Sequence, residues 1–177
     1  MTSFNLVATT QRGNERGCVK ELGMLSESLG FGGVRLKRTG YPGLVIGLAP
    51  GDPVALVRAM RPVAEEDPWD LRFLQKLTPV EATVEATTAQ IAEAVAKLAY
   101  KVPEGKSFKV SINKRGCDIA SQELIKAAAS KVDRRVNLER PDWVVQIEII
   151  DDAAGVSVLE PKDILSITKL QELAMQG

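Results

Sequence analysis

A strand, a helix and a second strand follow one another between residues 107 and 150, and this order limits the possible folds more than any other feature of the sequence. Apolar residues alternate along 107–112, which predicts a strand with one buried face. A helix is predicted at 119–132, and the nearly continuous apolar run at 143–150 predicts a second strand. This order is typical of a βαβ unit with parallel strands and a right-handed crossover. We therefore expect an α/β fold organised around this unit.

Positive charge is concentrated around the same unit. The chain of 177 residues carries 23 basic and 23 acidic residues, but ten basic and only five acidic residues lie between positions 101 and 140. The distribution of charge bears on nucleic-acid binding more than the net charge does. We expect the positive side chains of the later half to converge on one surface wide enough for a nucleic-acid helix.

The composition argues against most kinds of catalytic or metal site. The sequence contains no histidine, which removes the commonest general base and metal ligand. Cys18 and Cys117 are far apart, so a zinc site of the usual kind is not expected. No glycine-rich phosphate-binding motif follows a predicted strand. We expect no catalytic residue, no metal and no cofactor.

No secretory signal or membrane-spanning segment is expected. The first residues lack a basic and apolar leader pattern. No apolar run approaches the roughly 20 residues that a membrane helix needs. Two cysteines do not form a disulfide framework and are expected to be reduced. These features together favour a cytoplasmic protein.

The first half of the chain predicts a small domain of its own. Turn residues and apolar periodicity predict six elements in the order β-α-β-β-α-β. Their predicted positions are strands at 4–9, 34–38, 43–48 and 69–77, and helices at 15–29 and from residue 53. This order is the ferredoxin-like pattern. Asn14 and Asp52 are the expected N-caps of the two helices.

The second half adds elements around the βαβ unit. They are a connector at 78–88, a helix at 89–100, a turn at 151–155, a returning strand at 156–159 and a final helix at 164–174. We therefore predict a ferredoxin-like N-terminal domain at residues 1–77, the connector at 78–88, and a second α/β domain at 89–177.

Several segments, in this order and at this spacing, resemble a known family. They are 6–10 and 65–69 in the first half, and 91–99, 103–105, 108–110, 114–115, 123–125, 140–145, 155–159 and 163–167 in the second half. The second half resembles the THUMP domain, an RNA-binding module of tRNA-modifying proteins. The match is to the subset similar to the yeast protein Tan1 and its archaeal relatives.

The resemblance implies a function that periodicity and charge do not show. Proteins of this kind bind tRNA with the THUMP domain and the small domain before it, and several THUMP enzymes hold the acceptor stem and its 3′ end. Tan1-like proteins carry no catalytic domain. They act as the tRNA-binding partner of a tRNA cytidine acetyltransferase that forms N4-acetylcytidine. The resemblance therefore implies a non-catalytic tRNA-binding adaptor, with its oligomeric state undetermined.

Ten cations are the candidate RNA contacts, because Arg binds two phosphate oxygens with its planar fork and Lys supplies a point charge. They are Lys109, Lys114, Arg115, Lys126, Arg134, Arg135, Arg12, Arg16, Lys37 and Arg38. Each has an ordinary alternative as a solvated or locally paired side chain: Arg115 could pair with Asp118, and Arg16 with Glu15. Arg134 and Arg135 could instead interact with the helix dipole, which favours cations near a helix C-terminus.

Two other functional classes stay open. A protein-interaction or regulatory α/β module without RNA binding would share the neutral net charge. A free-standing enzyme would need a reactive group, and Cys117 beside Arg115 has no base identifiable in the sequence.

Overall fold

The computed structural model describes residues 2–177 and divides them into two compact units. The first unit comprises Phe4–Pro79 together with Asp163–Gly177. The second unit comprises Val80–Lys162, with Thr2 and Ser3. The C-terminal segment therefore lies with the first unit, whereas the sequence grouped it with the second.

The first unit has the predicted order β-α-β-β-α-β, to which the C-terminal segment adds one strand and one helix. Its elements are β1 Leu6–Thr10, α1 Glu15–Ser28, β2 Arg35–Arg38, β3 Leu44–Leu48, α2 Pro53–Glu66, β4 Leu74–Pro79, β10 Leu165–Ser166 and α5 Ile167–Gln176. The strands lie in the order β10-β4-β1-β3-β2, and every pairing is antiparallel. The predicted strand at 69–77 begins only at Leu74.

Helix ends in the first unit follow local chemistry only in part. The Asp52 side chain accepts a hydrogen bond from the backbone amide of Val54 at 2.9 Å, and Pro53 follows as the first helical residue. Asn14 occupies the N-cap position of α1 but makes no side-chain capping bond. The cap expected at Asn14 is therefore not made.

The core of the first unit lies between the sheet and its helices. Alternating residues of the strands face the helices. The buried side chains are Leu6 and Ala8 of β1, Val45 of β3, Cys18 and Leu22 of α1, and Leu56, Val57 and Met60 of α2. Leu165 and Ile167 belong to the same core, 0% and 1% exposed.

The second unit is a five-stranded mixed sheet with two helices. Its elements are β5 Ala82–Glu85, α3 Thr88–Leu98, β6 Ser107–Arg115, α4 Ser121–Ala129, β7 Arg135–Val136, β8 Trp143–Ile150 and β9 Ala153–Leu159. The strand order is β5-β9-β8-β6-β7. β6 runs parallel to β8, as the sequence predicted, and also to β7. The mixed α/β fold class is confirmed.

The two faces of this sheet differ in chemistry. α3 and α4 pack on one face, where Leu124 and Ala128 share a core cluster with Phe108, Val145 and Ile147. Because side chains alternate along a strand, the odd-numbered residues of β6 lie on the opposite face. That face carries polar side chains from two neighbouring strands. They are Lys109, Ser111, Asn113 and Arg115 of β6 and Gln146 and Glu148 of β8.

Strand pairing changes further local predictions. The expected connector contains β5, which pairs with β9 from Ala82↔Val156 to Glu85↔Ala153. β6 continues through Arg115, since β8 offers a partner for every residue up to Ile150. The final helix begins at Ile167, preceded by β10. In each case the difference comes from strand pairing between residues distant in sequence.

Hydrogen bonds join the C-terminal segment to α2. The Arg58 guanidinium donates to both carboxylate oxygens of Asp163, at 2.8 and 3.2 Å, and Asp163 is 1% exposed. Arg61 donates to the carbonyl of Ile164 at 3.1 Å.

No helix described within residues 2–177 is long and apolar enough to cross a bilayer.

Candidate nucleic-acid interface

A groove of about 880 Å³ lies in the first unit, where the start of α1 meets the edge strand β2 and the turn at 39–43. Four cations from separate parts of the sequence line it: Arg12, Arg16, Lys37 and Arg38. All four side chains are exposed. The fold therefore brings the four first-half candidates together on one concave surface.

The cations of this groove are available to a ligand. Within residues 2–177, no side-chain hydrogen bond or close ion pair engages Arg12, Arg16 or Lys37. Arg38 is near enough to the Glu15 carboxylate to help lower the pKa of that acid, without a close ion pair. Arginine and lysine side chains in this state can bind phosphate oxygens without first breaking a protein contact.

Glu15 is the acidic residue that lines the groove, and its carboxylate accepts hydrogen bonds from the backbone. The amide of Gly43 donates to Glu15 Oε1 at 2.8 Å. This bond, with those from the amides of Glu15 and Gly13, holds the pKa of Glu15 below its usual value. Glu15 therefore stays ionised at neutral pH and is engaged by the backbone rather than by Arg16, the partner that the sequence allowed.

The turn at 39–43 is held against the end of β1. The amide of Thr10 donates to the carbonyl of Gly43 at 2.9 Å. Gly43 has φ of 73°, and a Cβ at this position would lie 2.6 Å from the carbonyl oxygen of Thr10. Only glycine fits so close an approach in this backbone conformation. The wall of the groove formed by this turn therefore depends on Gly43.

The cations of the second unit do not share one face of its sheet. Lys109 and Arg115 lie on the face opposite α3 and α4. Lys114 lies on the helix side, where its ammonium group donates to the carbonyl of Ile119 at 2.5 Å. Lys126 is exposed on α4, which belongs to the helix side as well. The prediction that the later cations converge on one surface is wrong for these four residues.

The remaining candidates lie at the other end of the sheet. Arg135 pairs with Ser107 at the start of β6, eight residues before Arg115, or about 26 Å at 3.3 Å per residue. Arg134 donates to the carbonyls of Val102 and Pro103, each at 3.1 Å. Arg134 therefore joins two segments of the unit, and Arg135 is distant from the carboxyl end of β6.

Arg115 faces a buried carboxylate. Its Nη1 lies 3.8 Å from Glu148 Oε2, and the Glu148 side chain is 4% exposed. Asn113 and Gln146 donate to the other oxygen of Glu148, at 3.1 and 3.3 Å. Glu148, rather than Asp118, which the sequence allowed as an alternative partner, is thus the acidic neighbour of Arg115. The strand register that brings them together could not be read from the local sequence.

Two features of the groove escaped sequence reasoning. The carboxylate of Glu15 was considered only as a possible partner of Arg16. The connection between the predicted strands at 34–38 and 43–48 was not predicted to form a wall of a site. An acidic residue at the first position of a helix, after a glycine-containing turn, was the signal that could have revealed both.

Residues 85–159 match the family model of the THUMP domain. The chain contains a THUMP domain. The matched residues lie within the second unit, whereas the groove described above lies in the first. A comparison with curated proteins found no match.

Solved structures share the fold across both units. TrmN from Thermus thermophilus is 22% identical with a TM-score of 0.60, and the match covers 88% of this chain and 45% of that one. PH1313 from Pyrococcus horikoshii is 17% identical with a TM-score of 0.61, covering 89% and 55%. SMU.472, described as a putative methyltransferase complexed with SAH, is 19% identical with a TM-score of 0.53, covering 90% and 42%. The chain spans about half the length of these proteins.

These structures correct one expectation. The resemblance to Tan1-like proteins implied a non-catalytic subunit. The same fold occurs as part of longer proteins, one of them a putative methyltransferase. The interpretation as a non-catalytic subunit is therefore wrong. The specific likeness to Tan1 stays a prediction.

Proposed function

We propose that this chain binds tRNA and holds it for modification, with the groove of the first unit as a contact surface for phosphates. The THUMP domain at residues 85–159 supports RNA binding. The observation that carries the site is the groove lined by Arg12, Arg16, Lys37 and Arg38.

The chemistry of the groove suits a phosphate backbone. Cations that neutralise phosphates release counterions, and this release supplies much of the affinity for nucleic acid. The groove presents four exposed cations, and its one acidic side chain is engaged by backbone amides. Recognition of helical RNA relies largely on phosphates, 2′-hydroxyls and shape. Binding should therefore depend steeply on salt.

The second-unit candidates stay proposals of lower rank. Lys109, Lys126 and Arg135 can contact RNA without losing a hydrogen bond or close ion pair within residues 2–177. Lys114, Arg115 and Arg134 already contact protein groups. A contact between RNA and any of the last three would compete with these interactions.

The partner is proposed from the sequence resemblance alone. We keep a tRNA cytidine acetyltransferase as the proposed partner, N4-acetylcytidine as the product and the cytoplasm as the location. Adding the purified chain to such an acetyltransferase with tRNA, acetyl-CoA and ATP should increase the yield of acetylated cytidine. An acetyltransferase that acts equally well with and without the chain would exclude this partner.

Filter binding of labelled tRNA tests the site. At an ionic strength of about 0.1 M, we expect Arg16→Gln/Lys37→Gln to weaken binding by about tenfold to fiftyfold and to reduce the salt slope by about two. Lys169→Gln is the matched control, because Lys169 is an exposed cation of α5 in the same unit and does not line the groove.

The outcomes separate the functional classes. Loss of affinity in the groove variant but not in the control supports the RNA groove. Wild-type affinity in the groove variant contradicts this site. Failure of the wild-type chain to retain tRNA even at low salt favours the protein-interaction module instead.

A further inference from the structure

Glu15 stands in the groove with a charge opposite to that of its neighbours. By Coulomb's law alone, a carboxylate among four cations reduces their attraction for an anionic ligand. If the groove needed only positive charge, Glu15 would be a defect. Its contacts indicate a different role.

The Glu15 carboxylate connects the two walls of the groove. Glu15 is the first residue of α1, and Arg16 is the second. The amide of Gly43 donates to the carboxylate from the turn that follows β2, at 2.8 Å. Lys37 and Arg38 stand at the end of β2, just before that turn. One side chain thus joins the wall that carries Arg16 to the wall that carries Lys37 and Arg38.

The Glu15 carboxylate also lies at the start of α1. The Asn14 side chain makes no capping hydrogen bond, although asparagine at the N-cap position commonly accepts one from the first turn of the helix. The backbone amides of Gly43, Glu15 and Gly13 lower the pKa of the Glu15 carboxylate, which therefore carries a negative charge beside the first turn of the helix. A negative charge at this position also complements the helix dipole.

We propose that Glu15 is a positioning residue for RNA binding, whose carboxylate holds the turn at 39–43 against the start of α1 so that the cations of both walls face one groove. This inference rests on the proposed function. It implies that removing the carboxylate weakens RNA binding, although a repelling charge is removed.

The test compares two substitutions of Glu15 by tRNA filter binding. Glu15→Ala removes the hydrogen bond from the Gly43 amide, and we expect affinity to fall on the order of fivefold, since a displaced wall contacts fewer phosphates. The salt slope should fall with it. Glu15→Gln keeps an oxygen that can accept from the Gly43 amide, and we expect its affinity within about twofold of wild type.

Each result decides the inference. Tighter or unchanged binding by Glu15→Ala overturns it, because the carboxylate then acts only as a repelling charge or not at all. Equal weakening of Glu15→Ala and Glu15→Gln also overturns it, because the effect then follows charge rather than the bond to Gly43. Weakening of Glu15→Ala with rescue by Glu15→Gln supports it.

The groove variant keeps this inference distinct from the proposed function. If Arg16→Gln/Lys37→Gln binds tRNA normally, the RNA groove is wrong, and the role of Glu15 is wrong with it. If that variant binds weakly while Glu15→Ala binds normally, the groove stands and only the positioning role fails. Thermal unfolding of each variant identifies a loss of affinity that comes from unfolding. If Glu15→Ala is unfolded, the tRNA affinity of the folded Glu15→Gln variant decides whether the positioning role stands.

Discussion

Four exposed cations of the first unit line one groove, whereas three candidate RNA contacts of the second unit already interact with protein groups. Arg12, Arg16 and Lys37 are free of close protein partners within residues 2–177. Lys114 and Arg134 donate to backbone carbonyls, and Arg115 lies beside a buried carboxylate. The difference teaches that a cation-rich stretch of sequence is not by itself a binding surface. A cation that serves the fold is a poor probe of RNA binding, because its removal changes stability as well.

The largest expected effect concerns which unit holds the C-terminal segment. Truncation after Lys162 removes the buried side chains of Leu165 and Ile167 and the carboxylate of Asp163. The two apolar side chains alone stabilise the first unit by about 3–6 kcal/mol. We expect the first unit to lose stability by this order, and the second unit to stay folded.

Tryptophan fluorescence and hydrogen exchange separate the two units in this truncation. Trp69 lies in the first unit and Trp143 in the second. In a Trp69→Phe background, Trp143 reports urea unfolding of the second unit alone, while exchange of the β4 amides reports the first. A shift of the Trp143 transition as large as the loss of protection in β4 would contradict the division into these units.

A smaller effect on the free energy of unfolding is expected when a cation beside a buried carboxylate and an exposed cation of the groove are each substituted by alanine. Arg115→Ala removes a cation 3.8 Å from the buried carboxylate of Glu148, and we expect a loss of about 2 kcal/mol in the free energy of unfolding. Arg16→Ala should change it by less than about 0.5 kcal/mol, because Arg16 is exposed and makes no side-chain bond within residues 2–177. Urea denaturation at neutral pH measures both, and equal losses would remove the distinction between the units.

Acid should affect both units by the same mechanism, through one carboxylate in each. Hydrogen bonds from backbone amides, chiefly that of Gly43, lower the pKa of Glu15. Hydrogen bonds from Ser107 lower the pKa of Asp142. A lowered folded-state pKa contributes stability that is present above the unfolded value, near 4, and is lost as pH falls through the folded value.

The corresponding measurement is the urea midpoint across that pH range. We expect it to decrease as pH falls below about 4, and Asp142→Asn to reduce this decrease for the Trp143 transition. Asp142→Asn should leave the acid dependence of β4 exchange unchanged. An acid dependence of the Trp143 transition equal to that of wild type would exclude Asp142 as its source.

The smallest expected effect is chemical and concerns one cysteine in each unit. Cys18 is 0% exposed, and burial raises the pKa of its thiol to about 12, so it stays protonated and inaccessible. Cys117 is only partly buried. In the native protein, iodoacetamide should modify Cys117 before Cys18, as read by mass spectrometry of peptides. Earlier modification of Cys18 would show that the core of the first unit opens more readily than its burial implies.

Much of the fold could be predicted because local patterns and final structure agree. The alternation in Phe108, Val110 and Ile112 predicted β6, and its following helix predicted the parallel pairing with β8. Asp52 and Pro53 marked the start of α2 correctly. Where a short segment depends on a distant partner, prediction failed: β5 is a strand because β9 offers it an edge.

For the candidate site as well, some features could be predicted from the sequence and others depend on the fold. Residue type alone identified Arg12, Arg16, Lys37 and Arg38 as possible phosphate ligands. Their common groove depends on contacts across the chain, including the bond from Gly43 to Glu15. The pairing of Arg115 with Glu148 depends on the register between β6 and β8.

Sequence alone determined the β-α-β-β-α-β order of the first half, the parallel βαβ unit and the residue types able to bind phosphate, because each follows from periodicity or side-chain chemistry. Only the tertiary structure decided which cations stand free, which face of the sheet each occupies and which unit holds the C-terminus. These properties depend on strand register and long-range hydrogen bonds, which join residues that no local pattern connects.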